Sequence, residues 1–377
     1  MDSTKLYFAT NRKHKGKNRW NPDKYGKEFS SDGYFNLRFG ELTVDFDKKE
    51  IKKYISKKYD ENRFGDGEGL SNYFSKKAKS AKITAYEDLT SVAKKEIPSH
   101  KNSSNQFFTN IKEVMLKSTD VVIYIHGYNV SWEESVGAAI SLQFMLNKDK
   151  SESDKKIMVV LFSWPSKGSM MPFAAYNSDR NSARDSAEAV GRAILKLRDY
   201  LGTLREKSTN KDSIRCNQEI HLLSHSMGNY VMQNALNKII EESKGQYLSQ
   251  IFQNIFLCAP DVDDNVLEIG KPMERLHEIA KNITIYYNNN DKAMDISDIT
   301  KGNIERLGHN GNAHLNLVHN KVQQVDCTNI VSGVIQHSYY LWATVNNDIT
   351  QTINNIEFDS NLRNRKSLGN NREWKLI

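Results

Sequence analysis

The chain has 377 residues, 38% of them hydrophobic, a formal net charge of +7 and three cysteines, Cys216, Cys258 and Cys327. That is ample apolar material for a core, yet no run of about 18 apolar residues exists to span a membrane, and Met1-Asp2-Ser3-Thr4-Lys5 opens no apolar signal segment. An odd cysteine count without metal-ligand spacing speaks against a disulfide framework and suits a reducing cytoplasm.

In chain order, residues 4–10 read as a first strand, and 34–46 as a hairpin or two β segments around Gly40. The first 60 residues hold 15 Lys/Arg against 9 Asp/Glu, so nearly all the net charge sits there. Lys13, Lys15, Lys17 and Arg19 beside Trp20 would suit an anionic partner, nucleic acid or lipid headgroups. A solvated lysine-rich face accounts for them more simply, which leaves peripheral membrane contact open and nucleic acid disfavoured. Residues 47–117 are polar, with Lys-rich helical stretches and a flexible turn at Gly65–Gly69. They read as an insertion or partial cap, so that 1–117 forms edge strands plus insertion.

From 118 onward strands and helices alternate. Strands are expected at 120–125, 157–163, 219–223, 254–258, 283–288 and 322–327. Helices are expected near 132–146, 180–202 and 227–242, and from about 337. Continuous β-branched runs between amphipathic helices predict an α/β fold, a mostly parallel sheet covered on both faces, spanning 118–350. The N-terminal segments would extend it at one edge, antiparallel. The Asn/Arg-rich stretch 351–377 reads as a loosely held tail.

The most informative run is Ile220-His-Leu-Leu-Ser-His-Ser-Met-Gly228, an apolar strand, a small-x-Ser-x-Gly turn and a helix. So tight a turn needs small flanking residues, Ser224 and Gly228, and projects the Ser226 hydroxyl in front of a helix N-terminus. A serine nucleophile needs a base, an orienting acid and an oxyanion hole. Ile125-His126-Gly127-Tyr128-Asn129 follows a central strand and could aim the Tyr128 N–H opposite that of Met227. His126 would then be structural. With the order Ser, acid, His, the acid is Asp291 or one of Asp261, Asp263 and Asp264; Asp291, two strands after the elbow strand, is favoured, and Asp261, the next choice, reads rather as a capping or loop-shaping carboxylate. The base is His337, with His309, His314 and His319 as alternatives, while His225 points away as a packing contact. Trp164 could wall an acyl pocket or form a rigid turn, and Met170, Met171, Phe173 and Tyr176 could line a groove. No histidine pair has metal-ligand spacing with supporting carboxylates, so neither metal nor cofactor is expected.

These pieces together resemble a family of bacterial α/β-hydrolases of unknown function, the DUF900 type. The matching runs are Tyr7-Phe8-Ala9-Thr10-Asn11-Arg12, Arg38-Phe39-Gly40, Ile125–Asn129, Phe162–Gly168 and Ser182–Ser186. They continue with His225–Asn229, Ala259–Asp263, Asn290–Met294, Arg306–Gly308 and His337–Tyr339. They follow family order over residues 4–342, and only jointly are they specific. The resemblance implies an α/β-hydrolase fold with Ser226 as nucleophile, Asp291 as acid and His337 as base. Two features depart from the family: the Lys-rich 47–117 segment, and Ser224 where Gly or Ala is usual. The expected activity is carboxylic ester hydrolysis through an acyl-enzyme, on a small-molecule, lipid or thioester substrate. The alternatives are a non-catalytic binding module using the basic N-terminal region, and a hydrolase gated by a partner.

Overall fold

The computed structural model describes residues 2–58, 64–87, 103–166, 172–208, 218–294, 305–331 and 337–377, with backbone alone for 103, 172–174 and 202–208. Strands β1 (Asp2–Thr10), β2 (Arg12–Lys15), β3 (Lys24–Phe29), β4 (Arg38–Phe46) and β5 (Lys82–Ala85) come first. The later strands are β6 (Ser118–Ile125), β7 (Lys156–Ser163), β8 (Glu219–His225), β9 (Phe252–Cys258), β10 (Ala280–Tyr287), β11 (Val322–Asp326), β12 (Arg365–Ser367) and β13 (Glu373–Leu376). Eleven of them form one sheet in the order β12-β13-β11-β10-β9-β8-β6-β7-β1-β4-β5, and β2 and β3 form a separate antiparallel pair.

The central strands are parallel and buried on both faces, as their unbroken apolar sequence requires. β1 departs from expectation. It pairs parallel with β7 and antiparallel only with β4, so the sheet changes direction one strand later. The stretch 34–46 supplies one continuous strand, β4, because Gly40 lies against the Thr84 carbonyl, where a Cβ would come within 2.4 Å.

The helices are α1 (Lys48–Ile55), α2 (Gly67–Ala78), α3 (Ser103–Met115), α4 (Trp132–Leu146), α5 (Pro172–Ser208), α6 (Gly228–Glu242), the single turn α7 (Leu307–Asn310) and α8 (Ala343–Ile353). α4 opens with a capping box between Ser131 and Glu134 and is apolar nearly all round. Such a helix needs cover on its outer side, and α2 provides it, crossing so closely that a Cβ on Gly137 would fall 2.5 Å from the Ser71 carbonyl. The described part of the Lys-rich insertion is therefore a second layer on α4, the edge strand β5, and α3, whose Phe107, Phe108, Ile111 and Met115 pack in the core with Tyr7, Phe39 and Val121. Gly65 and Gly67 are buried at the head of α2, packed on Met145 and Leu341, so no flexible turn sits there. Residues 59–63 and 88–102 of that segment lie outside the described residues.

The tail expectation also fails. β13 adds parallel to β11, Trp374 and Leu376 are buried, and Arg363 bonds Asp348 from within the core. No helix among the described residues is long and apolar enough to cross a membrane.

Candidate active site

The chain leaves β8 and enters α6 through two residues, Ser226 and Met227. Ser226 has φ +54, a left-handed conformation that costs a non-glycine residue about 1–3 kcal/mol unless its surroundings enforce it. Here they do. Ser226 N donates to the Cys258 carbonyl at 3.0 Å, and its own carbonyl accepts from Asn229 N at 3.0 Å and Asp261 N at 3.2 Å. The Asn229 amide reaches the Ser224 and Ser226 carbonyls at 3.1 and 3.0 Å, and the Ser224 hydroxyl donates to Asn229 Oδ1 at 2.6 Å. The unusual serine at the head of the elbow thus satisfies an otherwise buried amide oxygen.

Glycines let the elbow and the loop after β6 touch backbone to backbone. A Cβ on Gly127 would lie 2.6 Å from Ser226 Cβ, and one on Gly228 would lie 2.7 Å from the Ile125 carbonyl oxygen. Among the described residues, the N–H groups of neither Tyr128 nor Met227 have an acceptor. Two free donors beside a serine hydroxyl are the arrangement that can receive a developing oxyanion.

The 126–130 loop is held from behind. His126 is fully buried; its Nδ1 bonds the Gly127 carbonyl at 2.9 Å and its Nε2 accepts from Trp164 N at 3.2 Å. Burial, reinforced by the Arg12 charge, pushes its pKa down to about 3, so the ring is neutral and structural, as the sequence suggested. Trp164 stacks on His126 at 5.2 Å and donates its indole N–H to the His126 carbonyl at 2.8 Å. It is fully buried, which favours the rigid-support reading over a pocket wall. Arg12, the first residue of β2, donates to Ser163 Oγ at 2.8 Å, the Gly26 carbonyl at 3.1 Å and the Val130 carbonyl at 2.8 Å. Asp179 takes the Ser166 hydroxyl and the Asn129 N–H. The sequence alone assigns neither residue a role: Arg12 shows only as the last residue of the matching run Tyr7–Arg12, and Asp179 carries no signal.

Asp291 and His337 come together from the ends of β10 and β11. Asp291 is fully buried and its Oδ2 lies 2.7 Å from His337 Nδ1. Burial disfavours the imidazolium, but the Asp291 charge and hydrogen bond, aided by Asp261 and Glu68, outweigh it and raise the His337 pKa above 6.5. His225 does not point away from the site. Its Nε2 bonds the His337 carbonyl at 3.0 Å, tying the histidine to the residue before Ser226. Among the described residues no hydrogen bond joins the Ser226 hydroxyl to His337.

The alternative acids and bases are occupied elsewhere. Asp261 accepts from the Tyr176 hydroxyl at 2.8 and 3.0 Å and lies 3.8 Å from Arg306 Nε, while Asp263 pairs with Arg306 at 2.5 Å. Burial raises the Asp264 carboxyl pKa. His309 bonds the Asn289 carbonyl, His314 pairs with Glu268, and His319 stacks on His277. Met170 and Met171 lie outside the described residues, as does the Phe173 side chain. A residue without any sequence signal is Glu68 on α2. Burial raises its pKa, the Trp342 side chain hydrogen-bonds it, and its charge reaches His337.

No curated protein matches this chain. Among solved structures it resembles a lipase B of Aspergillus fumigatus at 14% identity and TM-score 0.32, covering 60% of this chain and only half of that one. It also resembles EstE1, a thermostable carboxylesterase from a metagenomic library, at 12% identity and TM-score 0.31, covering 63% of this chain and 78% of that one. An arylesterase gives 11% identity and TM-score 0.32, covering 63% and 76%. Likenesses so distant carry no argument about activity. The family comparison is direct: residues 101–355 match the model of an alpha/beta hydrolase of unknown function, DUF900, and the chain belongs to that family.

Proposed function

We propose that the protein is a serine hydrolase of carboxylic esters. The observation that carries this reading is Ser226, held at φ +54, followed by the acceptorless N–H of Met227, packed against the loop that carries that of Tyr128, and joined through His225 to the His337–Asp291 pair. In this mechanism Ser226 Oγ attacks the ester carbonyl carbon while His337 Nε2 takes the hydroxyl proton. Tyr128 and Met227 N–H receive the oxyanion, and Asp291 holds the proton on Nδ1 and offsets the imidazolium charge. Collapse breaks the bond to the leaving alkoxide or thiolate, which takes the proton from His337. Water, deprotonated by the same ring, then releases the acid and regenerates Ser226.

The basic first sixty residues favour an ester on an anionic carrier, a lipid headgroup included. Faster turnover of anionic than of neutral short-chain esters is expected, and equal rates would remove that refinement. The buried free thiols of Cys258 and Cys327 support a reducing, cytoplasmic setting.

The deciding experiment is labelling with a fluorophosphonate probe, which needs an activated serine but no known substrate. The wild type should label and Ser226→Ala should not. A wild type that stays unlabelled, or labelling that survives the substitution, would overturn the proposal.

A further inference from the structure

The same two strands that carry the elbow and the oxyanion loop at one end carry a second cluster at the other. β6 and β8 pair in parallel with Asp120 opposite Glu219, which places Asp120, Glu219 and His221 on one face of the sheet. Their ligating atoms all lie within 4.8 Å of one another. His221 is fully buried, and its Nε2, 3.7 Å from Asp120 Oδ1, has no hydrogen-bond partner. A buried ring nitrogen left without a partner costs about 1–3 kcal/mol, and two adjacent carboxylates repel each other. One bound cation would relieve both.

The geometry points to a divalent cation site of the zinc class, held by His221 Nε2 and the carboxylates of Asp120 and Glu219. One imidazole nitrogen and two carboxylates suit zinc better than calcium or magnesium, which prefer all-oxygen shells. Donors around a tetrahedral zinc with ~2.0 Å bonds lie ~3.3 Å apart, a few tenths of an ångström less than the Nε2–Oδ1 separation here. An outer shell is within reach once two neighbouring amides are turned over. His221 Nδ1 lies 3.0 Å from the Asn254 amide, which Asn282 holds in turn at 3.0 Å. Metal at Nε2 puts the proton on Nδ1, and turning over the Asn254 and Asn282 amides presents an oxygen to it. The nearby Lys150 ammonium is engaged by Thr119 Oγ1 and the Lys155 carbonyl, both at 3.1 Å.

Five residues of extended strand separate His221 from Ser226, about 17 Å at 3.3–3.4 Å per residue. The ion would therefore clamp the starts of the two central strands and take no part in ester chemistry. Its test does not depend on the proposed activity. The full chain, stripped with EDTA, is titrated with zinc and followed by calorimetry and thermal unfolding. Uptake of one equivalent with an upward shift of a few degrees in Tm is expected. Both should be lost in Asp120→Asn and Glu219→Gln, and retained in His319→Ala, which breaks the stacked His277–His319 pair. No uptake, or uptake that survives both carboxamide variants, overturns the site. Should the variants fail to fold by circular dichroism, zinc-edge absorption on the wild type decides: a shell of nitrogen and oxygen supports it, and a sulfur ligand overturns it.

Discussion

His337 must be neutral to accept a proton, and its setting works against that at acid pH. Asp291 raises its pKa above 6.5 despite burial, so the labelling rate should fall as pH drops through that raised value. Asp291→Asn removes the chief raising influence and leaves only the weaker pull of Asp261 and Glu68 against burial, so the acid limb should move to lower pH. The rate itself should fall on the order of 10³–10⁴-fold, because the ring loses its tautomer restraint. A pH profile of probe labelling reads both effects, and an unmoved limb would count against the pairing. Arg12 acts differently, through the shape of the 126–130 loop. Lysine offers a single nitrogen where the guanidinium serves Ser163, Gly26 and Val130 at once. Arg12→Lys should slow labelling on the order of 10²-fold by shifting the loop, and lower stability by about 1–3 kcal/mol for each acceptor stranded. Rescue of neither rate nor stability by the retained positive charge would identify geometry as the cause.

Among the elements, β13 carries the consequence most easily missed. It covers the outer edge of β11, the strand that leads toward His337, and buries Trp374 against the core. Trp374→Ala should cost about 3–5 kcal/mol, measurable by urea unfolding, where a loosely held tail would cost almost nothing. Polar composition hid this pairing. β12 and β13 are three and four residues long, rich in charge, and stabilised by partners far away in sequence. Arg363 looks like a surface residue until Asp348 and Thr352 enclose it. α5 likewise begins at Pro172, eight residues before the expected start, because its apolar opening Phe173-Ala-Ala-Tyr176 reads equally well as a groove-lining loop.

At the scale of the whole molecule, the parallel core was legible because its buried strands are short apolar runs alternating with helical stretches. Pairing direction was not, since β1 looks the same locally whether its neighbour is β7 or β4. The candidate site was legible where chemistry demands a residue type at a fixed place, as with Ser226, Gly228, Asp291 and His337. It was illegible where tertiary packing alone delivers the group, as with Glu68, Asp179 and the contact between His225 and His337. The insertion illustrates the limit. Its lysines suggest an insertion or partial cap, whereas the described part covers α4, extends the sheet and packs α3 into the core.

The left-handed backbone at position 226 has a further consequence for design and for evolution. Alanine there would keep the strain, because any β-carbon meets the same hindrance. Glycine would relieve it and remove the hydroxyl together. Ser226→Gly should therefore unfold at higher temperature than Ser226→Ala, with the difference on the order of 1 kcal/mol. A chain selected only to fold would gain by surrendering this serine, so the proposed reactivity and stability compete at a single atom's attachment point.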